Sequence, residues 1–168
     1  MLNEQQRTQA DLTIRERLAG VLKSLDIRVL AAYWPLPGEP DLRPLLVQLH
    51  DQGFVIALPR VEQPDAPLQF DRWSPEAALQ QGPFGTLHLQ AQDPQRPQLL
   101  ILPCLGFDLQ CHRLGYGGGY YDRTLEQLAG VATIGVAYGI CEIENFDAQH
   151  HDLPLEWIVT EAGLLCRR

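Results

Sequence analysis

Four short apolar runs, at 27–34, 54–58, 99–103 and 131–137, alternate along this chain with stretches whose leucines recur at helical spacing. Strand, helix and strand joined by short links specify a parallel sheet covered by helices, with right-handed crossovers. Residues 41–51 set Leu42, Leu45, Leu46 and Leu49 on one stripe behind Asp41 as N-cap, and residues 120–129 set Leu125 and Leu128 on another. Pro35-Leu36-Pro37-Gly38 and Pro59 end the first two runs. An amphipathic helix over 4–25, with Ile14, Leu18, Leu22 and Leu25 on one face, opens the chain and carries no candidate site residue. Residues 68–73 alternate as an edge strand, Ser74-Pro75-Glu76 reads as a helix start, 82–98 as a surface loop, and 157–160 as a closing strand. The expected fold class is α/β, in a single domain over 1–168. Ligands of such sheets collect beyond the carboxyl ends of the strands, where Glu39, Arg60, the 104–120 segment and the segment after Val136 emerge.

Composition narrows the function. An apolar fraction of 45% with 20% charged residues is that of an ordinary globular protein, and no apolar run approaches membrane-spanning length. The first twenty residues are polar and amphipathic, unlike a signal peptide, so a cytoplasmic location is expected. Cys104, Cys111, Cys141 and Cys166 form no CxxC pair, which argues against a zinc site or a disulfide framework and for buried free thiols. A net charge of −8 argues against nucleic acid as a general partner, and a monomer is expected. Lys23 is the only lysine and lies on the opening helix, so Schiff-base chemistry and a Walker-type lysine are both disfavoured. Arginines must carry any phosphate contacts.

Those contacts have an obvious location. Arg113-Leu114-Gly115-Tyr116-Gly117-Gly118-Gly119-Tyr120-Tyr121-Asp122 follows the 99–103 run and leads into the 120–129 helix. A glycine loop feeding a helix start presents open N–H groups and the positive end of the helix dipole, which favour phosphate. It fits neither the dinucleotide fingerprint, since Tyr120 stands where the third glycine belongs, nor a Walker loop. Each residue has a plain alternative. The loop is a phosphate cradle or a tight structural turn, and Arg113 grips phosphate or a nearby carboxylate. Asp122 serves magnesium or only the helix dipole, and Asp152, after His150-His151, is a second acid or a turn residue. Tyr116, Tyr120 and Tyr121 stack on a planar ligand or pack the loop, and Glu39 belongs to the site or is a solvated acid.

Read together, these residues resemble the 5-formyltetrahydrofolate cyclo-ligase family. Leu102-Pro103-Cys104-Leu105-Gly106-Phe107-Asp108 and the stretch from Arg113 to Arg123 match its signature, supported by Tyr33, Pro35, Glu39, Asp41, Leu58-Pro59-Arg60, Asp152-Leu153-Pro154 and Thr160-Glu161. The resemblance implies a three-layer α/β/α fold with a mainly parallel sheet, like that of sugar-phosphate isomerases and CoA transferases. It implies ATP-driven, magnesium-dependent cyclisation of 5-formyltetrahydrofolate to 5,10-methenyltetrahydrofolate. By position, Arg113, Leu114, Gly115, Tyr116, Gly117, Gly118, Gly119, Tyr120 and Tyr121 would hold ATP, with Arg113 central to catalysis. Trp34, Glu39 and the stretch from Tyr116 to Tyr120 would bind the reduced folate, and Asp122 and Asp152 would bind Mg2+. Two stretches depart from the pattern. The family's amino-terminal KxxxR segment has no counterpart at 1–7, and its Gly-Ile-x-Glu-Pro reads Gly85-Thr86-Leu87-His88-Leu89 here. A shortened or divergent member is therefore expected, with two other readings open: a non-catalytic folate or nucleotide binder, or another phosphate-handling enzyme on the same fold.

Overall fold

The computed structural model describes residues 2–144 and 153–167. Helix α1 (Glu4–Lys23) begins at a reciprocal cap: Asn3 Oδ1 accepts from the Gln6 amide at 2.9 Å, and Gln6 Oε1 accepts from the Asn3 amide at 3.0 Å. Ile14, Leu18 and Leu22, each four residues apart, are buried. Strand β1 (Val29–Ala31) is followed by α2 (Arg43–Asp51), whose Leu42, Leu45, Leu46 and Leu49 are all buried. The N-cap is Leu42 rather than Asp41. Asp41 nevertheless serves the same end, accepting the Arg43 amide at 3.0 Å and both prongs of its guanidinium at 2.8 Å.

Strands β2 (Val55–Arg60), β3 (Gln69–Trp73), β6 (Leu99–Pro103), β9 (Ala132–Val136), β10 (Trp157–Val159) and β11 (Leu164–Cys166) join β1 in a seven-stranded sheet of order β11-β10-β9-β6-β1-β2-β3. The five inner strands are parallel, and β3 and β11 run antiparallel at the two edges. Alternate residues of β6 serve opposite faces: Leu99 and Ile101 pack with α1 and α2, while Leu100 and Leu102 pack with Leu125 of helix α3 (Tyr120–Gln127). The fold is α/β, a mostly parallel sheet with helices on both faces, as expected.

Several local expectations fail for physical reasons. Pro59 lies inside β2 instead of ending it. Ala57 bonds toward β1, accepting from Ala32 at 3.0 Å, so Pro59 two residues on faces that same side, where β1 has already ended and no N–H is needed. Ser74 starts one turn, closed by Ala77 N–H to Ser74 C=O at 3.0 Å, and no helix. The chain instead enters a hairpin, β4 (Leu79–Gln81) and β5 (Leu87–Leu89), because Leu79 and Leu89 pack into the core beside Trp73. A second hairpin, β7 (Gly106–Phe107) and β8 (Arg113–Leu114), separates β6 from the glycine loop. Its turn is organised by Asp108, whose Oδ1 accepts from the amides of Gln110 and His112 at 2.9 Å each. Of the four cysteines only Cys104 and Cys111 are buried; Cys166 is exposed.

Gly135, in inner strand β9, lies under Cys104 and Leu155: a Cβ there would sit 2.8 Å from Cys104 Sγ and 2.8 Å from Leu155 Cδ1. Gly135→Val should therefore overpack this face and cost about 1–3 kcal/mol, read as a lower urea midpoint at unchanged slope.

Candidate active site

A cavity of about 980 Å³ opens where β1, β2 and β6 end. Tyr33, Trp34, Leu36 and Glu39 come from the segment after β1, Pro59 and Val61 from the end of β2, and Pro103 from β6. Residues 113–123 form one wall, and Phe84, Thr86, Leu87 and His88 of the β4–β5 hairpin form another. Its size is that of a small-molecule or cofactor site. Arg60, at the same sheet edge, instead bonds Asp71 through Nε at 2.7 Å and is absent from the cavity walls.

The glycine loop runs from β8 into α3. Gly119 is the N-cap of α3 with φ +65°, a left-handed conformation that favours glycine, and it supplies no capping side chain. The first-turn amides of α3 are left open at the cavity. Gly115 allows a close approach: a Cβ there would lie 2.6 Å from Arg113 Nη1. Arg113 is buried, donates from Nη2 to Asp122 Oδ1 at 3.0 Å and stacks on Tyr121 with its Cζ 5.2 Å from the ring centre. Both the carboxylate grip and the tyrosine packing foreseen as plain alternatives are thus present. Arg123, assigned no role from the sequence, donates to the Gly118 carbonyl at 2.6 Å and covers Tyr120 at 5.1 Å. A cation this near a helix start opposes the dipole, and the bond to that carbonyl offsets the mismatch.

On the opposite wall Glu39 is only 9% exposed, which excludes the solvated-acid reading. Its Oε2 accepts from the Leu36 amide at 2.7 Å and its Oε1 from the Tyr116 hydroxyl at 2.9 Å. Burial raises its pKa above 4.5, and the two hydrogen bonds only partly oppose that. Tyr33 and Tyr138 back the segment: Tyr33 donates to the Pro40 carbonyl at 2.9 Å, and Tyr138 to Asp11 Oδ1 of α1 at 2.7 Å. Trp34 lies at the cavity, tilted against Trp73 with ring centres 6.1 Å apart. The buried Cys104 thiol is pushed up to about 12 by desolvation, so it stays protonated and offers no nucleophile at neutral pH.

Every expected site residue that the structure describes, namely Trp34, Glu39 and all of 113–122, lines this one cavity. Asp152 and the two histidines before it lie outside the described residues. Among the described residues, no group of three or more His, Cys, Asp or Glu side chains is placed to hold a metal ion. The sequence reads 82–98 as a surface loop, whereas Leu87–Leu89 is a strand of this hairpin; strands of three residues show no period to read. No helix among the described residues is long and apolar enough to cross a membrane.

Comparison with known proteins agrees with this geometry. The model of the 5-formyltetrahydrofolate cyclo-ligase family matches residues 1–161. The chain is 31% identical over 159 residues to 5-formyltetrahydrofolate cyclo-ligase of Haemophilus influenzae, covering 89% of this chain and 84% of that protein. It is 32% identical over 167 residues to the one of Mycolicibacterium smegmatis, covering 91% and 85%. Among solved structures, 5,10-methenyltetrahydrofolate synthetase of Aquifex aeolicus superposes with a TM-score of 0.85 at 30% identity, over 99% of this chain and 86% of that one. With motif, fold and relatives in agreement, the chain is an enzyme belonging to the 5-formyltetrahydrofolate cyclo-ligase family.

Proposed function

We propose that this enzyme uses Mg-ATP to cyclise 5-formyltetrahydrofolate to 5,10-methenyltetrahydrofolate, releasing ADP and phosphate. The observation that carries the reading is the pairing, across one cavity, of a buried carboxylate with an arginine-flanked glycine loop. The formyl oxygen is a poor leaving group. Transfer of the ATP γ-phosphoryl group to that oxygen turns it into one. N10 then attacks the formyl carbon, loses its proton and closes the ring as phosphate departs. No covalent bond to the protein is required, so the protein's work is positioning and charge stabilisation.

In this reading Arg113 and the backbone from Leu114 to Tyr121 hold the phosphates, and Arg113 offsets the charge on the transferring group. Glu39 accepts from the N–H edge of the pterin, Trp34 borders its ring, and residues 116–120 separate the two substrates. Asp122 fits a magnesium ligand by its chemistry: its side chain is 29% exposed, and Mg2+ takes few carboxylates beside phosphate oxygens and water. Asp152 would be the second acid. Bound there, Mg2+ would neutralise charge on the β and γ phosphates.

Purified protein given 5-formyltetrahydrofolate and Mg-ATP should generate methenyl-folate absorbance. Tight folate binding without product would overturn the enzyme reading in favour of a sensor. Arg113→Ala should lower kcat by about 10²–10³-fold, and Arg113→Lys should recover little of it, because a lysine keeps the charge but lacks the planar fork. Glu39→Gln should raise KM for the folate while raising Tm at neutral pH. Glu39 has a folded-state pKa raised above 4.5, so its charge destabilises the fold at higher pH and ceases to do so once it is protonated in both folded and unfolded chains. The Tm advantage of Glu39→Gln should therefore shrink as pH falls and vanish below 4.5, which a thermal-melt pH series tests.

A further inference from the structure

The Tyr116 side chain is 62% exposed, yet its hydroxyl reaches across the cavity to Glu39, which is 9% exposed. Among the described residues this is the one hydrogen bond between residues 115–119 and the segment after β1. The other Glu39 oxygen is already engaged by the Leu36 amide. Tyr116 stands between Gly115 and Gly117, and Gly117 has φ +82°, in the left-handed region that glycine readily adopts. The base of the loop, by contrast, is tied down by the bonds from Arg113 to Asp122 and from Arg123 to Gly118.

We propose that Tyr116 is a positioning residue that latches Glu39, so that binding of the nucleotide to the glycine loop and of the folate to Glu39 are positively coupled. The inference rests on the proposed cyclo-ligase reading. A pterin edge that bonds Glu39 must displace the tyrosine hydroxyl, which costs the free enzyme one hydrogen bond to a charged group. Drawing the 115–118 amides onto phosphate oxygens withdraws Tyr116 from Glu39 and removes that cost before the folate arrives. Linkage makes the effect mutual: the folate raises nucleotide affinity by the same factor.

Isothermal titration of 5-formyltetrahydrofolate, with and without a non-hydrolysable ATP analogue and Mg2+, reads the coupling directly. In the wild type the analogue should tighten folate binding about tenfold, the scale of one hydrogen bond to a charged group. Tyr116→Phe keeps the ring and loses the latch. It should bind the folate about tenfold tighter without nucleotide, the analogue should then change its affinity by less than about twofold, and the lost bond should lower Tm by a few degrees. A merely structural role would not move that ratio. If Tyr116→Phe keeps the full enhancement, or binds the folate more weakly than the wild type, the latch is wrong while the cyclo-ligase reading stands. A wild type that binds no folate at all would overturn both.

Discussion

Parallel strands cannot be joined by tight turns, and this one constraint organises the molecule. With β1, β2, β6, β9 and β10 all parallel, every link between neighbours must recross the sheet. All their carboxyl ends therefore lie along one edge. Glu39 and Tyr116 are 77 residues apart in the chain, yet they meet because one follows β1 and the other lies beyond its neighbour β6. The β3 edge is protected in turn: the 93–95 segment bonds β3 through Arg72 N–H to Asp93 C=O at 2.8 Å and Gln95 N–H to Phe70 C=O at 2.7 Å.

The same sheet fixes how the site is supported. Both faces of β6 are buried, and the polar groups that hold the site gather past the strand ends, where they bond to one another. The opening helix reads from sequence as simple scaffolding, but its Asp11 accepts from Tyr138 and from the Asp41 amide, and its Arg15 donates to the Asp41 carbonyl at 2.9 Å. These bonds fix the segment that carries Glu39. Helix α1 thus supports the carboxylate without touching the cavity.

What was legible in the sequence was whatever depended on long periodic or glycine-rich stretches. The leucine stripes of α1 and α2 and the all-apolar β6 sit where periodicity puts them, and the motif from Arg113 to Asp122 lines one cavity. What was not legible depended on tertiary contacts. Ser74-Pro75 carries good helix-start chemistry, but burying Leu79 and Leu89 beside Trp73 outweighs one local cap. Hairpins of two and three residues a side show no period to read. Glu39 illustrates the limit most sharply: in a Pro/Gly turn it looks like a solvated acid, and only the approach of a distant tyrosine and the folding of its own turn bury it.

Burial of charge on both walls has a cost. Arg113 and Arg123 each keep a buried Nε that makes no hydrogen bond within the protein, beside a helix start with no capping side chain. Buried donors left without acceptors destabilise a fold by about 1–3 kcal/mol each. The open amides of that helix start, flanked by Arg113, give one wall a surplus of donors, whereas the Glu39 wall offers an acceptor. The chain has a net charge of −8, so bulk electrostatics would repel an anion, and binding one depends on these few local donors. The two ends of the cavity therefore differ in polarity: donors gather at the glycine loop, and an acceptor stands at Glu39.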